Sequence, residues 1–182
     1  ISGGIIGIDW GDVLTTSGLA IGRDGPLEFG DPTALLTGDW GPDQTAEATV
    51  YSKNQTKKQW QEVEIRLRSS LTAHCCTGYE ILFRCLKTEE AYMEVVRWNG
   101  LVGDFTYLSR NTGLQYGVAN GYVIKATIIG NNIKVYINGK LLDTVNDNTF
   151  ATGNPGIGFN YGCGETYGDF GLTSFMVTDG KI

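Results

Sequence analysis

Cationic side chains are scarce in this 182-residue sequence: 14 Lys and Arg stand against 20 Asp and Glu, for a net charge of −6. Nucleic-acid binding needs a basic footprint to neutralise phosphates. The only adjacent basic pair is Lys57-Lys58, read as a solvated loop. No apolar run approaches the ~18 residues that a bilayer-crossing helix requires. Stretches with helical periodicity are almost absent too. Histidine occurs once, at His74, and the four cysteines contain no C-x-x-C pair, so no common zinc spacing is present. No signal peptide is visible, and the chain opens on Ile1 rather than Met, as a mature or trimmed form would.

Apolar residues make up 41% and charged residues 19%, which excludes a disordered class and allows a sizeable core. The length suits a single domain spanning residues 1–182. The 26 glycines follow no collagen period and sit between short apolar runs, as in a chain that turns often. Cys75, Cys76, Cys85 and Cys163 predict two disulfides with three open connectivities, and hence an oxidising, extracellular setting. His74 beside Cys75-Cys76 is read as a neighbour of disulfide cysteines rather than a metal ligand. Asn54-Gln55-Thr56 is a glycosylation sequon.

Period-two patterning recurs along the chain. Ala46, Ala48 and Val50 alternate with polar partners. From Trp60 to Arg68, Gln61, Val63, Ile65 and Leu67 point one way, while Glu62, Glu64, Arg66 and Arg68 point to water. Further strands are predicted over Tyr79 to Leu86, Ala91 to Trp98, Tyr122 to Ile129, Ile133 to Ile137, Leu141 to Val145, Gly156 to Phe159 and Phe170 to Thr178. Shorter ones fall at Gly18 to Ile21, Pro26 to Phe29 and Thr33 to Leu36. Asn138-Gly139 between two strands marks a tight hairpin. Ten to twelve strands at this spacing predict an all-β, two-sheet antiparallel sandwich, a jelly roll.

The runs Gly78-Tyr79-Glu80-Ile81-Leu82-Phe83-Arg84 and Val95-Val96-Arg97-Trp98-Asn99-Gly100 carry a family likeness. So do Ile133-Lys134-Val135-Tyr136-Ile137-Asn138-Gly139 and Gly153-Asn154-Pro155-Gly156-Ile157-Gly158-Phe159. From Trp40 to Asp179 the chain resembles the concanavalin-like lectin/glucanase superfamily, in particular extracellular modules akin to laminin-G-type domains. The resemblance implies a convex and a concave sheet, with glycans as the usual ligands of the concave side. It also implies calcium near the last strand, with Asp169 as a ligand and Asp31 and Asp39 as partners. Relatives open with a strand that pairs beside the C-terminal strand. Ile1 to Ile8 lacks that pattern: either the strand was lost in processing, or the domain tolerates an exposed edge, or a neighbouring copy fills the gap by strand addition.

Candidate chemistry centres on the polar side of the Trp60 strand. With Glu80, Arg84, Glu94 and Lys125 from neighbouring strands, it forms a charged face. Charge pairing that solubilises the sheet is the plain reading of that face. The functional reading is a glycan groove, with Glu64, Arg66, Arg84 and Glu94 as polar contacts and loop tyrosines Tyr161 and Tyr167 stacking on sugars. Tyr92, Trp98, Tyr107, Tyr116 and Tyr136 are the other available aromatics, and Trp60 and Trp98 are assigned to packing. Lyases of this superfamily combine a His or Tyr base with Arg or Gln, types that His74, Tyr161, Arg66 or Arg84, and Gln61 supply. Glu62 and Glu64 share a strand face ~7 Å apart, yet the rest of the glucanase pattern is missing. Three readings follow: a non-catalytic glycan-binding module, a subunit of an extracellular fibre or array pairing through Ile1 to Ile8, and a polysaccharide lyase acting on polyuronates. The first leads, because no catalytic constellation is complete.

Overall fold

A computed structural model describes residues 9–16, 18–23, 31–55, 60–162 and 167–180. The segment Ile1 to Ile8, the expected strand Pro26 to Phe29, Thr56 of the sequon, Lys57-Lys58 and Cys163 lie outside the described residues. Thirteen strands run through the described residues: β1 (Asp12–Thr16), β2 (Leu19–Arg23), β3 (Thr33–Leu35), β4 (Gln44–Ser52), β5 (Gln61–Leu71), β6 (Cys76–Arg84), β7 (Tyr92–Gly100), β8 (Phe105–Thr112), β9 (Val123–Ile129), β10 (Asn132–Ile137), β11 (Lys140–Asn146), β12 (Asn154–Tyr161) and β13 (Phe170–Thr178). They form two antiparallel sheets, a seven-stranded one ordered β1-β2-β13-β4-β9-β10-β11 and a six-stranded one ordered β3-β12-β5-β6-β7-β8. The protein is therefore the two-sheet sandwich that the patterning predicts. No helix among the described residues is long and apolar enough to cross a membrane.

The core lies between the sheets. Ala46, Ala48 and Val50 of β4 and Ile124, Ala126 and Ile128 of β9 meet Val63, Ile65 and Leu67 of β5 and Ile81 and Phe83 of β6, all fully buried. Each set occupies alternate positions, so one pleat face of each strand goes into this layer. At the β10–β11 turn, Asn138 and Gly139 have φ of 49° and 78°, the two positive values that a tight primed hairpin turn demands.

Three expectations fail for identifiable reasons. The place beside β13 is not open, because Ala20 of β2 pairs with Leu172 of β13 and β1 pairs in turn with β2. The chain's own hairpin closes the edge that motivated strand addition there. The two-disulfide expectation also fails, since Cys75, Cys76 and Cys85 are free thiols. Cys85 belongs to the core between the sheets and Cys76 to a separate apolar cluster, so the same sheet separates them. Burial pushes the Cys76 thiol up to about 11 and the Cys85 thiol up to about 12, as for inert packing residues.

The third failure concerns Arg68, expected on the wet face. It sits at a bulge in the β5–β6 pairing with φ of 45°, which breaks the alternation. Its guanidinium donates to the carbonyls of Pro42 (2.6 Å), Phe150 (3.1 Å) and Gly130 (2.7 Å), and its backbone N–H donates to Gln44 Oε1 (2.9 Å). Arg68 thus ties three loops together at one end of the sandwich. Replacing it should orphan those carbonyls, so Arg68→Ala is expected to cost about 3 kcal/mol, read as a lower urea midpoint with an unchanged slope.

Candidate functional site

The outer face of the six-stranded sheet, turned away from the core, carries almost every polar residue singled out from the sequence. Register places Glu62 opposite Arg84, Glu64 opposite Leu82, Arg66 opposite Glu80, and Leu82 opposite Glu94. One half of this face is not wet. Glu64 is 1% exposed and Arg66 is 0% exposed, with Glu62, Glu80 and Glu94 buried as well.

Arg66 organises that buried half. Its Nη2 donates to Glu64 (2.7 Å) and to Asp31 (3.1 Å), and its Nη1 lies 2.8 Å from Glu80 but off the N–H axis. Burial alone would lower the guanidinium's pKa, but Glu80, Glu64 and Asp31 together outweigh that and keep it charged. One cation faces three carboxyl groups, so the cluster carries protons. Burial raises the Asp31 carboxyl against the pull of Arg66. Burial also holds Glu64 well above its usual range and Glu80 near about 7. Asp31, Glu64 and Glu80 converge closely enough to ligate a metal ion, yet the Arg66 guanidinium already binds all of them.

The glycines of the N-P-G-I-G-F run make this packing feasible. A Cβ on Gly158 would lie 2.1 Å from Glu64 Oε2, and one on Gly156 would lie 2.2 Å from the Ala34 carbonyl oxygen. β12 has to be bare at Gly158, where the Glu64 and Arg66 side chains cross it, and at Gly156, where β3 lies against it.

A line of stacked groups runs along β7 and β8 from the buried half to the open half. Trp98 meets Phe105 at 5.3 Å, and Phe105 meets Tyr107 at 5.3 Å. The Arg110 guanidinium lies over Tyr107 (5.1 Å) and Tyr92 (5.9 Å), and Arg84 covers Tyr92 from the other side (5.3 Å). Tyr92 donates to Glu62, whose other oxygen accepts from Asn160 (2.8 Å). Burial pushes Glu62 up to about 8 against the pull of both donors. Burial likewise raises Glu94, opposed by Arg110 at 2.6 Å. Tyr107 is 47% exposed, and Arg110 and Phe105 are exposed with it. From Trp98 to Tyr92 the line spans roughly 20 Å of strand.

A bulge makes this alignment. Val95 pairs with Ser109 but Val96 with Tyr107, so Leu108 is the extra residue and turns toward the core. Phe105, Tyr107 and Arg110 can therefore share one face. The broken alternation also explains why β8 is missed in the sequence.

Other predicted site residues lie elsewhere. Tyr167 packs in the main core with Tyr161 edge-on against it at 4.3 Å, so neither lines the outer face. Gln61 is buried and donates to Asn54 Oδ1 (3.0 Å). His74 is exposed in the β5–β6 turn, 2.9 Å from Asp9. Because Gln61 and Tyr161 pair at the opposite end of β5, roughly 30 Å of strand separates His74 from them. The lyase set His74, Tyr161, Gln61 and Arg66 is not assembled. Lys125 belongs to the other sheet, over Tyr136. Trp98 packs as expected, whereas Trp60 is exposed. Asp169 accepts from Lys53 and Asn54, each at 3.0 Å, while Asp31 is bound to Arg66. Two of the ligands expected for calcium, Asp169 and Asp31, thus face different partners.

No protein-family model matches the chain, and no curated protein matches it. Solved structures do. The carbohydrate binding module CBM66 from Bacillus subtilis superposes with a TM-score of 0.63 at 18% identity, covering 89% of each chain. The carbohydrate recognition domain of Emp46p, in a potassium-bound form, gives 0.61 at 12% identity over 95% of this chain and 88% of its own. An alginate lyase from Pseudomonas aeruginosa gives 0.50 at 12% identity over 92% of this chain and 86% of its own. The fold is the concanavalin A-like jelly roll.

The proton-bearing carboxyls set a pH dependence. Glu62 and Glu80 have folded pKa values above those of an unfolded glutamic acid, so they favour the folded state at acid pH. That contribution is complete below about pH 4.5 and fades as pH rises through 7 to 8. The melting temperature should therefore fall between pH 5 and pH 9, and Glu62→Gln should flatten the upper part of that fall. A melting temperature that climbs over this range would contradict the buried cluster. Separately, Gly158→Ala should cost about 2 kcal/mol in urea unfolding through its clash with Glu64.

Proposed function

We propose that the protein is a non-catalytic, lectin-like carbohydrate-binding module, and that the open half of the outer sheet face holds the glycan. The observation that carries the reading is the stack Tyr107–Arg110–Tyr92–Arg84 on the sheet face, exposed at Tyr107 and Arg110 and half-buried at Tyr92 and Arg84. Sugar rings have apolar faces and polar rims. Tyrosine rings offer the first a flat partner, and guanidinium, carboxylate and amide groups meet the second. Half-buried Asn160 stands at the edge of the stack, and the buried carboxyls of Glu62 and Glu94 hold Tyr92 and Arg110 in place. The fold relatives named as a carbohydrate binding module and a carbohydrate recognition domain support the same reading. So does the separation of His74 from the other lyase-type residues.

A glycan array probed with the full chain tests the reading. The chain should retain at least one glycan class, and Tyr107→Ala should weaken that binding about tenfold without shifting the melting temperature, since Tyr107 is exposed. Loss of no binding in Tyr107→Ala and Arg110→Ala would refute the assigned face. Binding should survive excess EDTA, because Lys53 and Asn54 hold Asp169.

A further inference from the structure

The stacked line does not end at Trp98. Trp10, 2% exposed, lies on Trp98 with centroids 5.8 Å apart and ring planes at 67°. It joins Cys76, Leu82, Val96 and Trp98 in an apolar cluster on the outer sheet face, apart from the main core. Segment Asp9–Gly11 therefore covers the inner end of the line whose outer end is the proposed glycan site.

The platform and its cover differ in how firmly they are held. Trp98 is fixed: its indole N–H donates to Glu80, the Arg66 guanidinium lies 5.6 Å from its ring, and Phe105 packs beside it. Trp10 is loosely held by comparison. Its buried Nε1 has no hydrogen-bond partner among the described residues, an unfavourable state for a donor removed from water. Its edge-on contact with Trp98 is a favourable ring pair, which a sugar ring stacking on Trp98 would have to replace. Its neighbours are tied by two long backbone bonds, Asp9 N–H to the Ala73 carbonyl and Thr33 N–H to the Gly11 carbonyl, each 3.3 Å. Among the described residues, the Asp9 side chain also meets the exposed His74 ring, at 2.9 Å. Exposed pairs of this kind hold weakly.

We propose that Asp9–Gly11 is an autoinhibitory plug, and that a glycan long enough to pass beyond Phe105 displaces Trp10 and stacks on Trp98. The inference rests on the glycan-binding reading and extends it, from a short site at Tyr92 and Tyr107 to a groove for oligosaccharide chains. A short glycan occupies the open end and leaves the plug seated. A long one gains a second platform but has to release Trp10, so the plug lowers the affinity for long chains selectively.

The test compares the full chain with Trp10→Ala and with His74→Ala, a surface change that releases Asp9 without touching the groove. Calorimetry would use dimers and hexamers of cello-, laminari-, chito- and galacturono-oligosaccharides. Trp10→Ala should bind its hexamer five- to tenfold more tightly with dimer affinity unchanged, and His74→Ala about twofold more tightly. In 15N-tryptophan-labelled wild-type protein, the Trp10 indole resonance should shift with the hexamer and not with the dimer. Should Trp10→Ala fail to fold, His74→Ala and the indole resonance decide the matter. Wild-type-like or weaker hexamer binding in the variants, with an unmoved Trp10 resonance, overturns the plug while leaving the glycan reading intact. No binding of any sugar by wild type or variants, there or on the array, overturns both.

Discussion

A single buried guanidinium determines how the six-stranded sheet is built. Arg66 is held by Glu64, Asp31 and Glu80, and its plane supports the Trp98 ring. Removing a charge from water is costly, and it is tolerated only where partners saturate it. Each neighbouring strand answers that demand. β5 supplies the cation and one carboxyl, β6 supplies another, β12 is stripped to glycine to admit them, and the chain entering β3 brings Asp31. The face is consequently divided into a dry half around Arg66 and a wet half around Arg110.

The same division accounts for what a reader of the sequence could and could not see. Alternation in β4 and β5 exposes the inter-sheet core, because apolar burial leaves a period-two trace. The Asn138-Gly139 turn is legible because positive φ restricts its residue types. The residues of the charged face could also be collected, since Glu62, Glu64, Arg66, Glu80, Arg84 and Glu94 do share one side of the sheet. Their burial could not. Charge in a strand ordinarily marks solvent, and only a tertiary cover such as Trp10 and Asp31 reverses that rule.

The tyrosines show the converse error. Loop position favoured Tyr161 and Tyr167, yet both pack inward, while Tyr92 and Tyr107 stand on strands and face out. Arg68 escaped for a local reason, its positive φ at a bulge. Nothing in the residue type Arg announces a left-handed backbone. Cysteine count misled in a similar way, because pairing depends on which side of a sheet each thiol occupies, and Cys76 and Cys85 occupy opposite sides.

The extra residue in β8 has an evolutionary side. Tyr107 and Arg110 stand together only because Leu108 drops out of register. If the same residues ran in strict alternation, Arg110, three places beyond Tyr107, would turn to the core side and leave the tyrosine alone outside. The bulge, and not only the side chains that the strand carries, therefore sets the chemical surface of this edge. Proteins of this scaffold would diverge in what they recognise by gaining or losing such a bulge, with no change at the contact residues themselves.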